Sequence, residues 1–285
     1  MPLVSPNVLY KMVEHKNMAI GAFNVHNMEY TQAVVSAAEA ENMPVILMLG
    51  EPILQFATLE MLSTIALTAA RNSRIPIAII LDHGKKMENI LRCIDLGISV
   101  MVDGSHLPLE ENIRFTKNVV EIAHAAGVSV EGELGAIGGT EDTEEEVAGN
   151  MTDPMYAKDF VERTGVDALA VAVGNIHGKY IKPPVIDFER LQKIKVLINV
   201  PLVMHGGSDL PNEISKKAIN IGIKKFNIGT DLKYAMSESL LATLSKKPMP
   251  FQPQHTFGIA REAVMNKAIE KIRLFKNEQE LEIQK

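Results

Sequence analysis

Short apolar, β-branched runs recur along this chain, and each is followed by a longer stretch whose apolar residues return at helical spacing. The runs fall at 18–24, 45–49, 77–81, 100–103, 129–133, 168–173, 202–205 and 225–228. They are apolar almost throughout, as strands are when a parallel sheet is covered by helices. Strand–helix alternation selects an α/β architecture. Eight such units in 285 residues predict a (β/α)8 TIM barrel, a fold that takes ~250 residues. The rival, an open doubly wound sheet, commonly leads from its first strand into a Gly-rich phosphate turn, whereas here Asn24-Val25-His26 follows. No composition break, Pro-rich linker or repeat divides the chain, so one barrel domain over residues 1–285 with a C-terminal helical segment is expected.

The net charge of −6, without a clustered Lys/Arg stripe, argues against nucleic acid as a partner. The longest apolar runs, such as the one around Pro76, fall far short of the ~20 residues that span a bilayer, and no membrane partner is expected. Residues 1–16 carry scattered charges and no secretory pattern. The single cysteine, Cys93, reads as the buried side of a helix in Ile90-Leu91-Arg92-Cys93-Ile94, and a catalytic role is the weaker reading because no His is near it in sequence. A reduced, cytoplasmic protein is the expectation.

Five predicted strands end in polar clusters: Asp82-His83, Asp103, Glu131 with Glu133, Asn175-Ile176-His177, and His205-Gly206-Gly207-Ser208. In a barrel these ends converge on the active-site face. A lone histidine is more often a capped or surface residue, but His83, His177 and His205 come from three separate strand ends. Three imidazoles with a position left open is the arrangement of a catalytic zinc. His15, His26, His106, His124 and His255 have no equivalent placement. On an extended strand the Asp82 and His83 side chains diverge, one to metal and one to substrate, or Asp82 orients a neighbouring loop. Glu133 and Asp103 would support the ligands or offer a second metal position. The turns at His205-Gly206-Gly207-Ser208 and Asn227-Ile228-Gly229-Thr230-Asp231 close the seventh and eighth strands. Barrels frequently bind phosphate there, and helix caps are the plainer reading. The loop 132–150 holds Gly138-Gly139 and an acidic run at 141–146. Most of that run reads as a solvated surface, but Glu141, just after the glycines, is placed where an active-site lid would be.

Taken in order, these residues resemble the class II fructose-bisphosphate aldolase family, especially its tagatose-bisphosphate-aldolase-like branch. The match runs nearly end to end through Gly21-Ala22-Phe23-Asn24, Leu81-Asp82-His83-Gly84, Glu131-Gly132-Glu133-Leu134-Gly135, Gly138-Gly139-Thr140-Glu141-Asp142, Val173-Gly174-Asn175-Ile176-His177-Gly178, Met204-His205-Gly206-Gly207-Ser208 and Lys224-Lys225-Phe226-Asn227-Ile228-Gly229-Thr230-Asp231. The resemblance implies metal-dependent, reversible aldol cleavage of fructose 1,6-bisphosphate or a related ketose phosphate to dihydroxyacetone phosphate and an aldehyde, with a place in glycolysis or neighbouring carbohydrate metabolism. It implies Zn2+ on His83, His177 and His205, with Glu133 and Asp103 able to hold a displaced ion. Such a site also accepts other divalent metals, and a monovalent cation is compatible. Asp82 is implied as general acid/base at the aldehyde oxygen, and Glu141 as the carboxylate that moves the ketose-phosphate proton. Implied substrate contacts are Asn24, Gly178, Lys179, Gly206, Ser208, Asn227 and Thr230, with Arg261 offered to the distal phosphate across a dimer interface. No lysine Schiff base is required. Arg261 and the amphipathic stretch 260–275 predict a homodimer or homotetramer. Other readings are a non-catalytic sugar-phosphate-binding or subunit-stabilising barrel and a metal-dependent isomerase or epimerase on the same fold. The chain departs from the family at Leu47-Met48-Leu49-Gly50-Glu51-Pro52-Ile53, where relatives usually carry Ser and Gly, and at Gly229, where some members carry Asp.

Overall fold

The computed structural model describes residues 3–139 and 149–277. Eight parallel strands, β1 (Ile20–Asn24), β2 (Val45–Gly50), β3 (Ile77–Gly84), β4 (Ser99–Val102), β5 (Val130–Leu134), β6 (Ala168–Val171), β7 (Leu202–Met204) and β8 (Ile223–Ile228), pair in chain order. The barrel closes through β1 and β8, with Ala22 opposite Asn227. All eight apolar runs become strands. The third extends beyond the apolar run to take in Asp82, His83 and Gly84, and the eighth starts earlier, at Ile223.

Helices α2 (Met28–Ala40), α3 (Leu59–Asn72), α4 (Met87–Asp95), α5 (Leu109–Ala125), α6 (Pro154–Thr164), α7 (Phe188–Leu197), α8 (Asn212–Ile221) and α9 (Thr230–Leu244) follow successive strands, and α10 (Pro253–Lys276) closes the described chain. Their starts are encoded locally. Asn27 accepts a hydrogen bond from Tyr30 N at the head of α2, and Asp153 and Asp187 cap α6 and α7 in the same way. Gly165, at φ +73, ends α6 in the left-handed conformation that glycine adopts without a Cβ clash. Cys93 is buried on α4, as expected; burial, and next the Glu51 carboxylate, push its thiol up to about 12, which leaves it inert as a nucleophile. His255 falls in the first turn of α10 and His124 on α5, where it meets Asp167 at 2.9 Å. Among the described residues, no helix is long and apolar enough to cross a membrane.

Two further helices pack on the barrel. The N-terminal helix α1 (Pro6–Val13) buries Leu9, Tyr10 and Val13 under the N-terminal ends of the strands, and Lys224 Nζ ties it there by donating to the carbonyls of Val13 (2.8 Å) and Lys16 (2.7 Å). At the side, α10 packs on α2 and α9, and its buried Phe275 stacks on Phe226 of β8 with ring centroids 4.7 Å apart and planes 10° from parallel. Phe275→Ala is expected to cost about 3–5 kcal/mol of unfolding free energy, since a buried aromatic is lost and the rigid barrel wall behind it cannot collapse into the space. Denaturant titration of the variant checks this.

Candidate active site

The C-terminal ends of the strands carry the polar cluster. Asp82 and His83 were expected to diverge by simple strand alternation. Instead, the β3–β4 register slips between Leu81 and Gly84, and His83 takes a left-handed backbone at φ +52. A non-glycine residue held there stores strain of the kind found at functional sites. The bulge separates the two side chains. Asp82, fully buried, accepts hydrogen bonds from Asn24 Nδ2 (2.9 Å) and Asn227 Nδ2 (3.2 Å), so amides from β1 and β8 fix both oxygens.

The three imidazoles converge. Ring centroids lie 4.9 Å apart for His83 and His177, 4.8 Å for His83 and His205, and 5.7 Å for His177 and His205. His83 Nδ1 faces Asp103 Oδ2 at 3.0 Å, and His205 Nε2 faces Glu131 Oε1 at 3.2 Å. A carboxylate oxygen and an imidazole lone pair would repel at such distances, so these two nitrogens carry the protons. The other nitrogens, His83 Nε2 and His205 Nδ1, then face each other at 3.1 Å. Two lone pairs this close call for a cation between them, either a proton or a metal. His177 Nε2 is buried with no hydrogen-bond partner, and one ligand atom from each of the three rings lies within 4.8 Å of the others. The donor set fits a divalent metal with imidazole preference. A second group, His83, Asp103 and Glu133, meets the same spacing, and Glu133 Oε2 is likewise buried without a partner.

Electrostatics follow from this crowding. Burial pushes His83 down, but Asp82, the hydrogen bond to Asp103 and the charge of Glu133 overcome it and raise the ring to about 10. Asp103 is pushed up by burial but ends well below the carboxylate range through His83, Ser105 and Lys85. Burial raises Glu133 to about 8, against the opposing pull of His83. Burial first, then the charge of His83, holds His177 and His205 well below the usual imidazole range.

The turns after β7 and β8 show the helix cap that was the plainer reading. Ser208 Oγ accepts from Gly229 N and Asp231 N, each at 3.2 Å, and so caps α9. Gly206, at φ +66, brings its backbone so close to the Ile176 carbonyl that no side chain could stand there. Tyr180 braces this turn, its Oη donating to Gly206 O at 3.1 Å and accepting from Ile176 N at 3.2 Å. Thr230 opens α9 next to it. Lys179 sits with Nζ 3.4 Å from the centre of the Tyr234 ring, bridging Gly178 and the β6 loop to α9.

Other expected contacts lie elsewhere. Arg261 is on α10, donating to Gln32 at 2.6 Å beside a separate groove of ≈ 560 Å³ on the α2 side. Glu141 lies outside the described residues. The root of its loop is described: Gly138 O accepts from His177 N at 2.8 Å. The unusual segment after β2 forms a short 3-10 turn, Glu51–Gln55. There Glu51 accepts from Lys85 N (2.8 Å), Lys86 N (3.1 Å) and Asn89 Nδ2 (2.7 Å), so its carboxylate serves the head of α4. Pro52 separates a cleft of ≈ 230 Å³ lined by Asp82, His83 and His177 from a cavity of ≈ 540 Å³ lined by Asn24, Gly50 and Lys233.

In the metal-free protein the raised groups set a pH dependence. Glu133 keeps its proton to about 8 when folded against 4.5 unfolded, and His83 to about 10 against 6.5. The folded state therefore binds more protons between pH 6.5 and about 8, and stability there falls as pH rises. Calorimetry of the chelated protein is expected to show the melting temperature dropping across that window, less steeply in Glu133→Gln. A flat profile would contradict these shifts.

Residues 4–280 match the family model described as Fructose-bisphosphate aldolase class-II. The chain is 40 % identical over 284 residues to a fructose-bisphosphate aldolase of Geobacillus stearothermophilus, covering 96 % of this chain and 97 % of that one. It is also 40 % identical over 280 residues to a probable fructose-bisphosphate aldolase of Bacillus subtilis (strain 168), covering 96 % and 98 %. In structure it is similar to the YdjI aldolase from Escherichia coli K12, with a TM-score of 0.85 at 35 % identity over 98 % of this chain and 100 % of that one. The barrel, its converging imidazoles and this end-to-end likeness place the chain in the class II fructose-bisphosphate aldolase family, as an aldolase that makes and breaks carbon–carbon bonds.

Proposed function

We propose that His83, His177 and His205 hold a divalent metal ion, zinc in first place, and that the chain cleaves a ketose bisphosphate reversibly to dihydroxyacetone phosphate and an aldehyde. The observation that carries this reading is the pair of facing nitrogens, His83 Nε2 and His205 Nδ1, 3.1 Å apart beside the unpartnered His177 Nε2. A divalent ion bound there supplies Lewis acidity to a ketose carbonyl.

The remaining roles fall to the chain's own side chains. In the cleavage direction Asp82 takes the proton from the hydroxyl of the carbon that becomes the aldehyde; the carbon–carbon bond breaks, and its electron pair stays on the dihydroxyacetone phosphate carbon. Asn24 and Asn227 hold Asp82 in place for this transfer. Glu141 returns a proton to that carbon. Gly206, Ser208, Thr230 and the head of α9 receive the phosphate, with Gly178 and Lys179 flanking it. Asp103 and Glu133 orient His83 or take the ion in a second position. Fructose 1,6-bisphosphate and tagatose 1,6-bisphosphate are the substrates to compare. The chain acts as one barrel domain over residues 1–285, in the cytoplasm, as a homodimer or homotetramer in which Arg261 reaches a neighbour's distal phosphate.

Purified protein is expected to release dihydroxyacetone phosphate from at least one of the two bisphosphates, to lose this activity on chelation and to regain it with zinc. Asp82→Ala is expected to lower kcat by about 10²–10⁴-fold in a coupled triose-phosphate assay. Release that persists unchanged after chelation would overturn the metal reading.

A further inference from the structure

Beneath His205, inside the barrel, lies an ion pair that no step above uses. Lys225 of β8 is 0 % exposed and Glu131 of β5 is 2 % exposed. Lys225 Nζ stands 2.9 Å from Glu131 Oε1 and 2.8 Å from Oε2, so the ammonium holds both oxygens. Oε1 is thereby aimed at His205 Nε2, 3.2 Å away. A buried lysine in an aldolase barrel invites comparison with Schiff-base chemistry, but that role needs an amine open to the substrate. Here the amine is spent on Glu131 and does not line the cleft.

We infer that Glu131, clamped by Lys225, is a positioning residue for metal binding: it fixes the rotation and tautomer of His205 so that Nδ1, not Nε2, is offered to the ion. The inference rests on the three-imidazole reading above. A carboxylate free to rotate could turn Oε1 away, and the ring could then flip or carry its proton on Nδ1, which would block the face toward His83. Two-point contact with Lys225 removes that freedom. Asn227 Nδ2 also passes 3.1 Å from His205 Nε2 while it donates to Asp82, so the ring edge is enclosed on two sides, and only Glu131 supplies an acceptor there. A buried ion pair adds little net stability compared with apolar residues of the same shape, which leaves orientation as its contribution. Both residues point inward two positions before a site residue, Glu131 before Glu133 and Lys225 before Asn227, as strand alternation requires.

Two double variants separate orientation from packing. Lys225→Met with Glu131→Gln and Lys225→Met with Glu131→Leu both remove the buried charges and keep similar volumes, but only the first leaves an oxygen facing His205 Nε2. Zinc affinity is measured by chelator competition, the ligand field by the Co2+ electronic spectrum, and stability by denaturation of the metal-free proteins. The Gln double is expected to bind zinc more weakly than wild type because its amide is unclamped. The Leu double is expected to be weaker than the Gln double by about tenfold or more and to show a shifted Co2+ spectrum, at matching metal-free stability. Equal zinc affinity in the two doubles, or affinity that follows stability alone, would overturn the inference while leaving the metal site intact. A wild-type chain that binds neither zinc nor cobalt would overturn the three-imidazole reading and this inference with it.

Discussion

Which nitrogen His83 and His205 present is decided from behind, by a carboxylate. Asp103 accepts a hydrogen bond from His83 Nδ1 and Glu131 one from His205 Nε2, and the opposite edges are left 3.1 Å apart. Neither carboxylate is free to leave. Asp103 is held by the Ser105 hydroxyl at 2.6 Å and by Lys85 at 3.2 Å, and Glu131 by Lys225. The cluster is thus a set of lone pairs gathered in a dry site, a costly arrangement for a chain to build unless a cation occupies it.

The barrel meets that cost by drawing the participants from many strands. Asn24, Asp82, Glu131, Glu133 and Asn227 sit within β1, β3, β5 and β8, while His177 lies in the loop after β6 and His205 directly follows β7. No strand carries more than two of them, so each retains the apolar residues that form the wall. Near the site, left-handed backbone occurs at the bulge of His83 and at turns such as Gly206, where a backbone must pass against another. The N-terminal helix covers the N-terminal ends of the strands, and the stacked Phe226 and Phe275 join the last helix to the barrel wall, which leaves the C-terminal face for substrate.

Much of this was legible in the sequence, because strand–helix periodicity is a local signal and strand ends in a barrel converge by topology. The apolar runs located all eight strands, and the polar residues at their ends located the cluster. Three features were hidden. Extended alternation separates Asp82 from His83 in principle, but the separation comes from a left-handed residue, and nothing in Leu81-Asp82-His83-Gly84 beyond the glycine announces it. Glu131 and Lys225 carry charge into apolar strands, and their pairing appears only in the closed barrel. Glu51 reads as a break in a substrate-binding motif, although its carboxylate caps a helix reached only through the adjacent strand. Conversely, Arg261 suggests a partner across an interface, and within one chain its guanidinium donates to Gln32.

The most direct test of the account is a crystal of the zinc-loaded protein measured for anomalous scattering at the zinc edge. The account predicts one strong peak at about 2.0–2.1 Å from His83 Nε2, His205 Nδ1 and a nitrogen of His177, with Asp103 and Glu131 still behind the first two rings. No peak among the imidazoles, or a peak ligated through His205 Nε2, would contradict it.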